Sequence, residues 1–252
     1  ISETWRETAQ TLHSFADTHA GVAGTGVAWG GRPPRSGEGV VDFASLNLSA
    51  HLHLLKEKTT FDLLHVGLVG HDHLASPGMP STVFDDALDG FRHIAIAQGA
   101  ARGASMEPAG VQADVRSGIE QGIASLDEAL DWSGRNDPVV SEALLKARSA
   151  LEGDTITDGA ITALDAAASS VTERIKSAVH DALTGASLDE WARNPAAQGV
   201  HHMIDAVGHL SSASGAAARI GNGQTTIPPE MLRVAATSLR SAADTLDPTP
   251  AT

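Results

Sequence analysis

The chain has 252 residues, of which 42% are apolar, 31 are acidic and 17 are basic, and it contains no cysteine. The missing cysteines exclude disulfide bonds, thiolate nucleophiles and zinc or iron–sulfur centres that cysteine would hold. A formal net charge of −14 argues against a nucleic-acid partner, because binding to a phosphate backbone depends on lysine and arginine.

The sequence also gives no sign of a membrane segment. No stretch approaches the roughly 20 apolar residues of a spanning helix, and the first residues lack the basic-then-apolar pattern of a secretion signal. We therefore expect no membrane partner, and a location in the cytoplasm or within a protein assembly.

Two segments of the N-terminal hundred residues have helical periodicity. Trp5, Ala9, Leu12 and Ala16 predict one amphipathic helix, and the apolar residues of segment 83–94 predict another, which Ser81 would cap. Between them, segment 21–39 is rich in glycine, proline, arginine and serine, which predicts an exposed loop.

The pattern changes to period two between that loop and the second helix. From Leu46 to Leu54, apolar residues alternate with asparagine, serine and histidine. One interpretation is an antiparallel β-hairpin near residues 43–69, in which segment 56–60 turns the chain. The other is a pair of short helices at 42–56 and 60–74, because short apolar runs fit both periods. The alternation favours the hairpin.

From Glu107 onward, apolar residues recur at helical spacing and turn signals separate the segments. The predicted helices are 111–130, which stops near Ser133; 138–151, which Asp137 caps; 161–182, which Gly185 ends; 195–210, preceded by a Ser187–Glu190 capping box; and 229–246, which follows Pro228. These elements predict a mainly α-helical bundle of about eight to ten helices. Residues 1–104 would form an N-terminal part and residues 105–252 a C-terminal bundle, and the two can pack as one domain.

Histidine is the one enriched functional residue type, with 12 copies. On a hairpin, His51 and His53 would face one side of a strand, as would His71 and His73 on the returning strand. With Asp72, these residues predict a candidate site for zinc or another divalent metal, which can activate water for hydrolysis. The alternative is a solvent-exposed polar hairpin face, and in that case no cofactor is expected.

Two short segments resemble motifs of known enzyme families. Gly70-His71-Asp72-His73 is similar to the Gly-His-X-His element of calcineurin-like metallophosphoesterases, which implies a two-metal site. Asp85-Asp86-Ala87-Leu88-Asp89 resembles the Asp-Asp-X-X-Asp motif of class I terpene synthases, which implies magnesium and a diphosphate. The companion motifs of both families are missing, so we assign the chain to neither.

A further polar row occurs on the helix predicted from residue 195. His201, Asp205 and His209 are spaced by four residues and therefore share one face. Such a row can ligate a metal or form a hydrogen-bonded network.

The segment 161–182 contains the most regular apolar seam in the chain. Ile161, Leu164, Val171 and Ile175 belong to it, at steps of three and four residues that are typical of coiled coils. The seam is either a surface for a protein partner or the chain's own core. Because no complete catalytic set is visible, the sequence favours a non-enzymatic structural or protein–protein interaction protein in a homo-oligomer or larger assembly. The alternatives are a metal-dependent hydrolase and a small-molecule binding module.

Overall fold

The computed structural model describes residues 1–20, 43–64, 82–133, 135–185, 195–222 and 227–248, and every regular element among them is an α-helix. The eight helices are α1 Ser2–Ala20, α2 Phe43–Leu64, α3 Thr82–Ala104, α4 Pro108–Trp132, α5 Pro138–Ala150, α6 Asp158–Gly185, α7 Pro195–Asn222 and α8 Pro229–Leu246. The predicted mainly α-helical bundle is confirmed. The predicted loop at 21–39, the Ser187–Glu190 capping box and residues 65–69 lie outside the described residues.

The predicted β-hairpin is wrong for residues 43–64, which form one continuous helix rather than two strands or two short helices. Leu48, Leu52, Thr59 and Leu63 are buried at helical spacing along one side of this helix. Leucines that are four residues apart fit a strand face as well as a helix face, so the alternation in the sequence was ambiguous.

Helix α7 is the central element of the described bundle. It packs against α3, α4 and α6, while α3 also contacts α8 and α2. Helix α1 packs on α8, and α5 joins α4 and α6. Helices from both halves of the chain therefore contribute to one hydrophobic core, in which Trp5, Phe84 and Phe91 are among the largest fully buried side chains.

Helices α3 and α7 approach each other closely enough for their backbones to touch. A Cβ atom at Gly99 would lie 1.8 Å from the carbonyl oxygen of Ser212, and one at Gly215 would lie 2.1 Å from that of Ile96. Beside this contact, the buried Ser212 hydroxyl donates a hydrogen bond of 2.5 Å to the Gln98 side-chain oxygen. Glycine is required here because any side chain would separate the two helices.

Local signals fix several helix ends as the sequence predicts. Asp137 caps α5, and its carboxylate accepts hydrogen bonds from the Val139 and Val140 amides at 3.1 and 3.2 Å. The same carboxylate is bound by the Arg174 Nε of α6 at 2.7 Å, so one side chain both starts a helix and joins it to its neighbour.

None of the helices that the structure describes combines the length and the apolar character needed to cross a lipid bilayer.

We expect Gly99→Ala to lower the free energy of unfolding by about 2–3 kcal/mol, because the added methyl group meets backbone atoms that cannot move aside. Gly110→Ala on α4 is the matched control, since nothing lies within 4 Å of its Cβ position. There we expect no loss and a gain of up to about 1 kcal/mol from helix propensity. Urea unfolding followed by circular dichroism measures both, and equal effects would contradict the close contact.

Candidate functional site

The five predicted metal ligands are only partly within the described residues. His51 and His53 lie on α2 and are exposed, whereas His71, Asp72 and His73 lie outside the described part of the chain. Residues two apart on a helix point about 200° away from each other, so His51 and His53 do not share a face as they would on a strand. Their pairing at one metal ion therefore loses its geometric basis, and the five-residue site stays a prediction.

Each of these two histidines has a contact of its own. The His51 ring lies against Phe15 of α1, with centroids 5.5 Å apart, and His53 Nδ1 is 4.0 Å from Glu57 Oε1 on its own helix. Among the described residues, no group of three or more histidine, aspartate or glutamate side chains is arranged to hold a metal ion.

The histidine row of α7 divides into two environments. His201 Nε2 is 3.2 Å from Asp205 Oδ2, and the His201 ring stacks on His202 with centroids 5.4 Å apart. His209 lies deeper, where burial and the positive charge of Lys56 lower its pKa, although Asp205 opposes them. The row therefore forms local contacts at its exposed end and a neutral imidazole at its inner end.

The carboxylates of the Asp-Asp-X-X-Asp segment are engaged in contacts between helices. Asp85 Oδ1 is 2.9 Å from His180 Nε2, Asp89 Oδ1 is 2.9 Å from Lys176 Nζ, and both partners lie on α6. The Ser241 hydroxyl of α8 donates to Asp86 at 2.6 Å. Burial raises the pKa of Asp85, and the charge of His180 counteracts that rise. These contacts fasten α3 to α6 and α8.

The apolar seam of α6 faces the interior of the chain. Leu164, Val171 and Ile175 are buried in the core, and Ile161 is partly buried against it. The seam thus serves the chain's own core, and we base no interface on it.

Among the surface clefts of the described helices, two are relevant to small-molecule binding. The larger, about 490 Å³, lies between α1 and α8 and is lined by Arg6, Gln10, His13 and Arg240. Arg6 is already paired with Asp244 at 3.0 Å, which neutralises part of its charge. The smaller cleft, about 270 Å³, lies between α5 and α6.

Helix α2 exposes large apolar side chains and buries polar ones. Leu54 is 65% exposed and Phe61 is 70% exposed, while Lys56 is only 9% exposed. Thr59 and Asp62 are buried on the same side as Lys56. The remaining exposed large apolar residues of the described chain, Trp132, Leu145 and Val234, lie on three different helices. Leu54 and Phe61 therefore form the one exposed apolar pair on a single helix among the described residues.

We call Leu54, Glu57, Lys58 and Phe61 the α2 outer face, because all four are exposed and lie opposite the buried side of the helix. The sequence analysis missed this face because it favoured a hairpin. A helical projection of residues 43–64 would have found it, since Leu54 and Phe61 are seven residues apart and so point in the same direction.

The buried side of α2 is attached to α3 in part through polar groups. The Ser49 hydroxyl donates to the Gln98 backbone carbonyl oxygen of α3 at 3.4 Å. Within α2 itself, Lys56 Nζ lies 3.7 Å from Glu57 Oε1. Burial lowers the pKa of Lys56, Glu57 raises it, and the charge of Arg102 lowers it further. The carboxylates of Glu57 and Asp205 do not offset the burial of this ammonium group, so it costs stability.

We expect Lys56→Met to raise the free energy of unfolding by about 1–2 kcal/mol at neutral pH, because it removes a poorly compensated buried charge. The fold lowers the pKa of Lys56 below its ordinary 10.5, so the folded chain releases this proton before the unfolded chain does. Wild-type stability should therefore increase as the pH rises towards 10.5, and its difference from the variant should narrow.

Lys146→Met is the matched control for this substitution. Lys146 lies on α5, is less buried, and pairs with Glu142 at 2.7 Å, so we expect a change within about 0.5 kcal/mol. Thermal and urea unfolding at several pH values provide the readout. A loss of stability in Lys56→Met would mean that the ammonium group makes a favourable contact.

Comparisons of the chain with protein-family models, with curated proteins and with solved structures find no match.

Proposed function

We propose that this chain is a non-enzymatic structural protein that associates with further copies of itself through the α2 outer face. The observation that carries the proposal is that α2 exposes Leu54 and Phe61 in one direction while it buries Lys56. In an isolated chain this arrangement costs free energy on both sides of the helix. A partner that buries the outer face offsets part of that cost.

The position of α2 supports this use. The helix packs on α3 and touches α1, so it lies at the edge of the described bundle rather than in its centre. A second copy can approach an edge helix without disturbing the core that α7 organises. Single exposed apolar residues are ordinary on a protein surface, so the shared direction of Leu54 and Phe61 on one helix is what favours an interface here.

The charge of α2 allows two copies to meet at this helix. The chain has a net charge of −14, so like copies repel each other over most orientations. Residues 43–64 contain two lysines, one glutamate and one aspartate, which makes α2 neutral when its histidines are neutral. Copies that meet at this helix therefore avoid the repulsion that an acidic helix such as α4 would cause.

The energy available limits the strength of this association. Burying a leucine or phenylalanine side chain completely contributes about 1.5–3 kcal/mol, so the four side chains of a symmetric pair contribute at most about 6–12 kcal/mol. Association itself costs about 4–15 kcal/mol in lost freedom of motion. We therefore expect a weak dimer, with a Kd in about the micromolar to millimolar range.

Sedimentation equilibrium of the wild-type chain, from about 10 µM to about 1 mM, tests the proposal. We expect the average mass to rise from that of the 25.9 kDa chain towards twice that value. Leu54→Glu and Phe61→Glu should each keep the chain monomeric over this range, because a carboxylate then replaces the apolar contact.

Leu145→Glu on α5 is the matched control, because Leu145 is also 65% exposed but belongs to no exposed apolar pair among the described helices. It should associate as the wild type does, and unfolding curves should show that all three variants are folded. A wild type that stays monomeric at the highest concentration would overturn the proposal. So would Leu145→Glu, if it abolished association as fully as the α2 variants.

A further inference from the structure

The α2 outer face has a charge pattern that distinguishes between the two ways in which a pair of identical helices can meet. Successive residues of a helix are rotated by about 100°, so Glu57 and Lys58 lie about 50° to opposite sides of the line through Leu54 and Phe61. The carboxylate is thus on one flank of the apolar line and the ammonium group on the other. Both side chains are exposed.

In a parallel pair, the two-fold axis runs along the helices and brings opposite flanks together. Glu57 of each copy then faces Lys58 of the other, with an axial offset of about 1.5 Å. Leu54 meets Leu54 and Phe61 meets Phe61 at the same height, so both apolar contacts form together with two attractive charge pairs.

In an antiparallel pair, the two-fold axis is perpendicular to the helices and brings identical flanks together. With Leu54 of one copy level with Phe61 of the other, Glu57 faces Glu57 and Lys58 faces Lys58. The apolar contacts are preserved, but both charge contacts become repulsive. The charge pattern therefore separates two arrangements that the apolar residues alone would allow equally.

The contacts within the chain leave these two charges available to a partner. Glu57 stays more than half exposed although it lies 3.7 Å from Lys56 Nζ and 4.0 Å from His53 Nδ1 on the same helix. No ion-pair partner of Lys58 is found among the described side chains. Neither charge is used in a contact between helices of the chain, although the Glu57 carboxylate also lies near the buried Lys56 ammonium group.

We propose that two copies of this chain pair in parallel along α2, with Leu54 on Leu54, Phe61 on Phe61, and Glu57 of each copy on Lys58 of the other. This inference rests on the proposed self-association and specifies its geometry. It predicts a closed dimer rather than an open filament, because a two-fold contact uses the same face on both copies.

Single introduced cysteines test the alignment directly, because the chain contains no cysteine of its own. In the parallel pair, Leu54→Cys alone and Phe61→Cys alone should each form disulfide-linked dimers under mild oxidation, since like residues lie level. A mixture of the two variants should give little mixed dimer, because residues 54 and 61 are about 10 Å apart along the axis. Leu145→Cys, which is equally exposed in the wild type, reports the rate of random collision.

Charge reversal provides a second, independent measurement by sedimentation. Lys58→Glu should weaken association at least tenfold at low salt, because it places carboxylates opposite Glu57, and Glu57→Lys should act in the same direction. The double variant Glu57→Lys with Lys58→Glu should return to within about threefold of the wild type, since it exchanges the flanks. In an antiparallel pair, the single reversals would only exchange one like-charge contact for another, with little effect. Unfolding curves show whether each variant is folded.

The outcomes separate the two proposals. A mixed 54–61 dimer that forms faster than the two like-residue dimers, with single reversals that have no effect, would overturn the parallel arrangement and leave self-association standing. Association of the wild type without linkage above the Leu145→Cys rate would remove α2 as the interface. A wild type that stays monomeric removes both proposals.

Discussion

The direct contact between the backbones of α3 and α7 is the constraint on which the rest of the bundle depends. Because Gly99 and Gly215 have no side chains to separate the two helices, α7 lies deep enough to contact α4 and α6 as well. The hydrogen bond from Ser212 to Gln98 is buried beside this contact, where an unpaired amide would be costly, so it also fixes the register of the helices. The other helices are arranged around this pair.

Helix α3 contacts its neighbours in three different ways, and the differences explain what each neighbour contributes. Its glycines give α7 a tight contact, and its carboxylates bind His180 and Lys176 of α6. Its Gln98 backbone carbonyl oxygen accepts a hydrogen bond from Ser49 of α2. The first contact excludes water and resists substitution. The contact with α2 includes a buried charge at Lys56, so α2 adds less to the stability of the bundle than an apolar helix of its length would.

The sequence predicted the fold where burial follows apolar periodicity. Val111, Val115 and Ile119 are buried at the expected spacing, and Asp137 caps its helix as expected, because both signals act within a few residues. The site predictions depended on contacts between distant segments, and these could not be derived in the same way. Nothing local identifies His180 as the partner of Asp85, or places Gly99 against Ser212.

Helix α2 is the segment in which the apolar pattern of the sequence disagrees with the observed fold. Lys56 lies among buried leucines, and Leu54 and Phe61 lie among exposed charges, so the apolar pattern lost its helical period and indicated strands instead. The expected metal pair His51 and His53 depended on that interpretation and lost its geometry with it. A segment whose pattern conflicts with its own fold is where function is most reasonably sought, because folding alone does not explain the residues that it exposes.

The core and the α2 outer face differ in how well they tolerate substitution. The α3–α7 contact tolerates almost no added volume, whereas Lys58 on the outer face is exposed and can be altered with little effect on the core. Glu57 differs, because its carboxylate lies 3.7 Å from the buried Lys56 Nζ. Association can therefore be tuned by the charge at Lys58 and stability by the fit around Gly99, whereas the charge at Glu57 affects both. Because the chain is strongly acidic and α2 carries no net charge when its histidines are neutral, a few charges added to this helix can decide whether copies meet there.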